Sequence, residues 1–412
     1  MKRFLMLVGI AFAAIVPALF VRMTGWKLSP LAAASTFGIA VVAAGFMLSW
    51  GAETAEKHIS QGLILAAVAL VTVLPEYAVD MYYAFQAGKA PESSYVHYAA
   101  ANMTGANRML VGLAWPTIML LHWWRNRERH IVLGSANRLE IGFLLLASVY
   151  GFVILFKNRI DLIDFAVLFA VFACYIWQVG RIPKAENSEA AEEDEEPGPA
   201  AALSALPLCA QWAWMAGLGL FAAFAILMSA EPFAEAIVAS GRQIGIDEFL
   251  LIQWIAPIAS EAPSISIAIL FVLSRRAANA LTTMISDKIN QWTLLVGMLP
   301  LAMSFGAGDV IGLRLDGRQH EEFFLTAAQS IFALSLLLRL RFSLWSGMVL
   351  ILLFAAQIAI AFVFQHDEGK VIASLTILAW VYLGLSVPLF LKQLPGLASV
   401  IRSVVRGPAP IQ

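Results

Sequence analysis

Long apolar runs separated by short polar breaks dominate this 412-residue chain. A helix needs roughly 20 apolar residues to cross a bilayer. Runs of that kind fall near 4–22, 30–56, 61–86, 96–122, 138–156, 160–180, 205–239, 246–273, 277–304, 322–340, 343–365 and 370–391. Main-chain polar groups in hydrocarbon must be satisfied within the segment, and helices do this. The pattern predicts an all-α polytopic membrane protein with about 12 transmembrane helices.

The first run starts with Lys2 and Arg3, as a signal peptide would, but no clear small-x-small cleavage site precedes Val21 and a second run follows almost at once. It reads as a first membrane helix. Composition agrees, with 60% hydrophobic and only 13% charged residues, and a net charge of −1 gives no reason to expect nucleic acid. Cys174 and Cys209 lie in apolar runs and imply neither a disulfide framework nor a zinc site. Lys and Arg favour the loops on the side of the N-terminus, among them Arg125, Arg127, Arg129, Arg275, Arg276, Arg339 and Arg341. That bias places both termini in the cytoplasm of a bacterial-type inner (plasma) membrane. Arg108 and Lys288 fall inside spans, where snorkelling toward an interface competes with a role in a site.

Residues 181–204 depart from the pattern. Glu186, Glu189, Glu192, Glu193, Asp194, Glu195 and Glu196 precede Pro197-Gly198-Pro199, which reads as a solvated, disordered cytoplasmic linker. The linker separates two similar halves. Glu53 and Glu56 end one helix, as Glu231 and Glu235 end another, and these carboxylates either guide cations or solvate helix ends. Leu74-Pro75-Glu76 is echoed by Ser260-Glu261-Ala262-Pro263, and the polar stretch 101–107 by 285–291. Arg138-Leu139-Glu140 is echoed by His320-Glu321-Glu322. The offsets are 182 (Glu53 to Glu235), 188 (Pro75 to Pro263) and 182 (Glu140 to Glu322). Five spans per copy make the second copy inverted, an arrangement typical of secondary transporters. The expected layout is an extra N-terminal helix and loop (1–29), a first repeat (30–180), the linker (181–204), an inverted second repeat (205–365) and an extra helix and tail (366–412).

Within the third run, Thr72, Glu76 and Asp80 lie one helical turn apart, and Pro75 frees the carbonyl of the residue four before it. A hydroxyl, a freed carbonyl and two carboxylates are hard oxygen ligands for a cation, and intramembrane carboxylates are costly unless they serve a function. The bland alternative is a Glu paired with Arg or Lys to hold helices together. At these residues the chain resembles the cation/calcium antiporter superfamily, the sodium/calcium exchangers. Those proteins are similar in having two inverted five-helix repeats, each with a Gly-Thr-Ser-Leu-Pro-Glu-like segment and a later Gly-Ser-Asn segment. Here Thr72, Pro75 and Glu76 match the first segment without its Gly and Ser, and Gly105-Ala106-Asn107 matches the second, with Asn102 ahead of it. In the second repeat Ser260 and Pro263 remain, but Glu261 precedes the proline by two residues, and Pro257 is expected to break the helix again. Glu261 is displaced by roughly 60° around the helix and one turn, still within reach of the same cavity. Ser286-Asp287-Lys288 stands where the family has Gly-Ser-Asn.

The resemblance implies a cation site with Glu76 and Glu261 as metal carboxylates, completed by Thr72, Ser260, Asn102, Asn107, Asp287 and Asp80. Lys288 would pair with Glu261 or Glu76 when no ion is bound. The expected activity is secondary antiport by alternating access, sodium/calcium exchange first, with cation/proton exchange through Lys288 as the alternative. The transported ions would be Ca2+, Na+ or H+, with no cofactor. The expected partners are the lipid bilayer and small cations, and no oligomeric partner can be read from the chain. A membrane-embedded hydrolase would need a His-Glu-x-x-His-type constellation, which is absent from the sequence. A third class is a non-transporting homologue that senses ions.

Overall fold

The computed structural model describes residues 2–55, 74–181, 202–203 and 206–406. Its helices in chain order are α1 (Lys2–Thr24), α2 (Pro30–Ala55), α3 (Leu74–Lys89), α4 (Tyr95–Met109), α5 (Trp115–Asn126), α6 (Arg138–Lys157) and α7 (Leu162–Val179). There follow α8 (Leu208–Ile244), α9 (Glu248–Leu273), α10 (Ala277–Asn290), α11 (Val296–Ala307), α12 (Gly317–Leu337), α13 (Leu344–Val363), α14 (Glu368–Lys392) and α15 (Leu394–Arg406). Eight of them, α1, α2, α6, α7, α8, α9, α13 and α14, are long and apolar enough to cross a membrane. The chain is an all-α integral membrane protein. Helices α3, α4 and α10 lie outside that set and carry much of the buried polar chemistry.

Two helices continue through a π-helical turn instead of ending. Leu110–Ala114 joins α4 to α5, and Gln291–Leu295 joins α10 to α11. The two turns occupy matching places in the two halves. A π turn shifts the main-chain hydrogen-bond ladder by one residue and is common at functional sites.

Among the described residues, four very short strands tie the helix ends. β1 (His130–Val132) and β2 (Arg159–Ile160) flank α6, while β3 (Leu313–Arg314) and β4 (Arg341–Ser343) flank α12. β1 pairs antiparallel with β4, and β2 with β3. The start of α6 is therefore tied to the end of α12, and the end of α6 to the start of α12. The two ties lie at opposite ends of an antiparallel helix pair.

The helix caps are polar residues at the ends of apolar segments. Asp161 accepts from Ile163 N and Asp164 N, Asp247 from Phe249 N, and Ser343 from Ser346 N. Asp316 caps α12, accepting from Gln319 N at 2.8 Å, while its other oxygen meets His97 Nδ1 at 2.9 Å. Partial burial opposes the charge of Asp316, but His97 and the neighbouring amides outweigh it and hold the carboxyl below the usual aspartate range. A depressed folded value gives stability that is present above the unfolded pKa of about 4 and lost as pH falls through the folded one. Asp316→Ala is expected to cost about 0.5–2 kcal/mol at neutral pH. Thermal unfolding in detergent should show that difference, and it should shrink in acid.

Several expectations meet corrections or limits here. α9 runs unbroken through both Pro257 and Pro263, so neither proline ends it. A proline removes one hydrogen bond of the ladder, and packing against neighbouring helices can carry a helix past it. α1 packs into the bundle, with Phe4 edge-on to Trp214 and Phe12 stacked on Phe221. The acidic residues 186–196 lie outside the described residues. The chain after α14 forms a further helix, α15, where only a tail was expected.

Candidate cation site

The floor of the site is where α2 crosses the two proline-bearing helices. A Cβ at Gly45 would meet Pro263 Cγ at 2.6 Å and Pro75 Cγ at 3.5 Å, so a glycine is needed for this approach. The two prolines, 188 positions apart, thus face one glycine. A second close approach concerns the other proline of α9. Pro257 has no N–H for the carbonyl of Gln253, and that carbonyl points at Gly105 of α4, where a Cβ would collide with it.

Above this floor stand two carboxyl groups. Glu76 is in the first turn of α3 and Glu261 in the middle of α9, with 0% and 3% exposure. One amide holds both. Gln291 Nε2 donates to Glu261 Oε1 at 2.7 Å and to Glu76 Oε2 at 3.2 Å. Gln291 is the first residue of the second π turn, which sets its side chain between α3 and α9. Tyr77 adds a second tie, its hydroxyl donating to Asn290 Oδ1 at 2.9 Å. No Lys, Arg or His lies within ion-pair distance of Glu76, Asp80, Glu261 or Asp287 among the described residues, so the bland reading of a helix-holding ion pair has no support there.

One turn along α3, Asp80 Oδ1 accepts from Asn102 Nδ2 at 2.8 Å. Asn107 Nδ2 donates back along its own helix to Met103 O at 3.0 Å. Among the described residues, Glu76 Oε1, Asp80 Oδ2, Asn102 Oδ1, Asn107 Oδ1, Asp287 Oδ2 and Gln291 Oε1 are buried without a hydrogen-bond partner. Unsatisfied buried oxygens are costly, and a water or a cation would relieve them. Among the described residues, no three Asp, Glu, His or Cys side chains converge as a metal cage. A cation here would take two carboxylates and neutral oxygens for the remainder, a set calcium accepts.

Some expected members stand apart. Among the described residues, Ser260 Oγ bonds only its own helix, to Ala256 O and Pro257 O, both at 3.3 Å. Thr72 lies outside the described residues. The expected pairing of Lys288 with Glu261 or Glu76 is not formed. Its ammonium donates to the main-chain carbonyl of Asn107 at 2.6 Å and lies over the Trp292 ring at 5.5 Å. The carbonyl and the ring face supply the negative potential that a carboxylate was expected to give. Gln291, Asn290 and Tyr77 were not singled out as site residues beforehand, although Asn290-Gln291 closes the polar stretch 285–291.

Arg108 does not snorkel. Its side chain is fully buried, with Nη2 2.5 Å from Glu322 Oε2 and Nε donating to Thr104 O at 3.2 Å. Breaking a buried pair leaves an uncompensated charge and costs about 3–5 kcal/mol. Glu322→Gln is expected to lower thermal stability in detergent by that order. Adding Arg108→Met should recover most of the loss, and an additive double variant would contradict a direct pairing.

Toward the β2–β3 end, tyrosines cover the site. Tyr83 and Tyr98 are buried, their rings 5.8 Å apart. Tyr82 and Tyr95 both donate to Glu235 Oε1, the former at 2.5 Å, and Tyr98 donates to Glu248. Glu235 is thus engaged by α3 and α4, while Glu231 pairs with Arg22.

The sodium/calcium exchanger protein family model matches residues 28–180 and 214–363. A crystal structure of the H+/Ca2+ exchanger CAX is 38% identical over 98% of this chain and 98% of its own, with a TM-score of 0.90. The Ca2+/H+ antiporter protein YfkE aligns at 14% identity over 88% of this chain and 99% of its own, with a TM-score of 0.60. The sodium-calcium exchanger NCX_Mj shares the fold at 15% identity and a TM-score of 0.52, over 78% of this chain and 96% of that one. Among curated protein sequences, none matches this chain.

Proposed function

Because this chain belongs to the sodium/calcium exchanger family of the cation/calcium antiporter superfamily, we propose that it is a secondary antiporter exchanging calcium for protons by alternating access. The observation that carries the reading is the Glu76–Glu261 pair held on the Gln291 amide with no cationic partner among the described residues. Two adjacent carboxylates in a low-dielectric site cannot both stay charged alone. Either protons or a cation must neutralise them, and both cannot do so together. Calcium entry would displace the protons, and proton return would expel calcium. Two carboxylates with neutral oxygens suit a divalent ion. The full-length relative at 38% identity, described as an H+/Ca2+ exchanger, supports the same pairing of ions.

In this reading Glu76 and Glu261 bind the ion. Asn102, Asn107 and Gln291 supply neutral oxygens, and Asp80 with Asp287 lies on the path. Thr72 and Ser260 are assigned to the same site as reserve ligands, and Lys288 tunes its charge. Protein segments follow the repeats: 30–180 and 205–365, joined by 181–204 and flanked by 1–29 and 366–412. Twelve crossings are assigned on the run count, and inversion of the second repeat is supported by the strand ties. β1 and β3 hold equivalent places in the two copies yet sit at opposite ends of α6, as inversion requires. Both termini are assigned to the cytoplasmic side of a bacterial-type inner membrane on the Lys and Arg bias. Release toward the β2–β3 end would require the tyrosine bonds to Glu235 and Glu248 to part.

Proteoliposomes test the reading directly. With an imposed pH gradient and no sodium, calcium uptake is expected, accompanied by counterflow of protons. Calcium movement that requires sodium and ignores the pH gradient would replace proton coupling with sodium/calcium exchange. Sodium movement driven by pH without calcium would favour the cation/proton alternative, and no flux of any ion would favour a sensing role.

A further inference from the structure

Helix α15 begins two residues after α14, a helix long and apolar enough to cross the membrane. Its start is therefore held at the membrane face. At about 100° per residue its side chains divide into three strips. Leu397, Val400, Ser403 and Val404 face the bundle. A Cβ at Gly142 of α6 would touch Val400 and Val404, Ser403 Oγ donates to Arg138 O at 3.1 Å, and Gln178 of α7 donates to Val404 O at 3.0 Å. Gly396 packs against Leu338, just beyond α12. The second strip is apolar and bare: Leu394, Ile401 and Val405 are 54%, 50% and 78% exposed. The third carries Arg402 and Arg406, both exposed, with Lys392 just ahead of the helix start. No acidic residue stands on α15, and exposed Arg339 and Arg341 follow closely on Leu338, which Gly396 touches.

An apolar strip beside a basic strip, at the end of a membrane-crossing helix, is the pattern of a helix lying in the bilayer interface. We propose that α15 lies in the headgroup–acyl boundary of the bilayer that the protein spans, with Leu394, Ile401 and Val405 among acyl chains and Arg402 and Arg406 on the phosphates of anionic phospholipids. The charge complementarity and the bare apolar strip are met together by that one surface. Juxtamembrane basic side chains are attracted to an anionic leaflet in this way. Because α15 also bonds α6 and α7 and packs against the end of α12, the contact braces those three helix ends against the leaflet.

Spin labelling tests this without any transport measurement, so its failure and that of the calcium/proton reading are separable. Single cysteines Val405→Cys and Ser399→Cys would be labelled after Cys174 and Cys209 are replaced by Ser, in vesicles of phosphatidylcholine with or without phosphatidylglycerol. At position 405, collisions with oxygen relative to a water-soluble nickel chelate are expected to exceed those at 399 several-fold. Phosphatidylglycerol should raise the ratio at 405, and Arg402→Gln with Arg406→Gln should abolish that rise. Equal ratios at the two positions would overturn the interfacial placement. A ratio indifferent to phosphatidylglycerol would overturn the anionic-headgroup assignment. Exclusion of both quenchers at 405 would mean that another protein covers the strip, and would overturn the proposal outright.

Discussion

Glu76→Gln is expected to leave a folded protein that no longer exchanges calcium for protons. The substituted amide keeps the size of the glutamate and can still bond to Gln291, so the contact between α3 and the second π turn survives. It carries neither a charge nor a titrating proton. With Glu261 alone, a bound calcium would lose one of its two carboxylates in a site closed to water. Removing one partner of a buried charge pair costs about 3–5 kcal/mol, which is a loss of binding of at least about a hundredfold. The exchangeable proton on that side would vanish with it. Calcium flux in proteoliposomes, with the thermal unfolding curve as a control for folding, checks both parts. Near-normal flux in a folded variant would reduce Glu76 to a helix-packing residue.

Much of this site was legible because membrane burial makes polar residues conspicuous. Pro75-Glu76 and Glu261-Ala262-Pro263 stand out against apolar surroundings, and their spacing in two similar halves marks them. The displaced Glu261 reaches the same amide as Glu76, as one turn of helical offset allows. Other parts could not be read. Gln291 is a neutral amide among several, and only the π turn aims it between two carboxyls. Arg108 and Glu322 lie 214 positions apart, and no local pattern links them. Lys288 was expected to seek a carboxylate, but the Asn107 carbonyl and the Trp292 face lie nearer. The prolines of α9 looked like breaks, since a lost hydrogen bond is visible in sequence while the packing that carries a helix past it is not. α15 was not expected as a helix although Leu394, Leu397, Val400, Ile401, Val404 and Val405 keep helical spacing, since its 13 residues fall short of the length that marks a membrane span.

Lys288→Asn is expected to strengthen calcium binding and weaken the pH dependence of transport. Lys288 forms no ion pair among the described residues, yet it is fully buried three residues before Gln291, whose amide holds Glu76 and Glu261. Its ammonium also occupies the Asn107 carbonyl, an oxygen that would otherwise be open to a cation. An entering divalent ion must share the cavity with this fixed charge. At an effective dielectric of about 20, a unit charge about 10 Å from a divalent ion is worth about 3 kcal/mol against it, or roughly a hundredfold in affinity. Asparagine removes the repulsion, frees the carbonyl and adds a side-chain oxygen. The vacated volume beside Trp292 is polar on one side, so a water can fill it. Calcium titration of the purified variant would read the gain in affinity, and flux across a range of pH would read the change in profile. Unchanged affinity together with an unchanged profile would place the amine outside the ion path, as a structural tie between α10 and α4. A gain in affinity with slower turnover would instead identify Lys288 as the charge that keeps calcium from binding too tightly to leave.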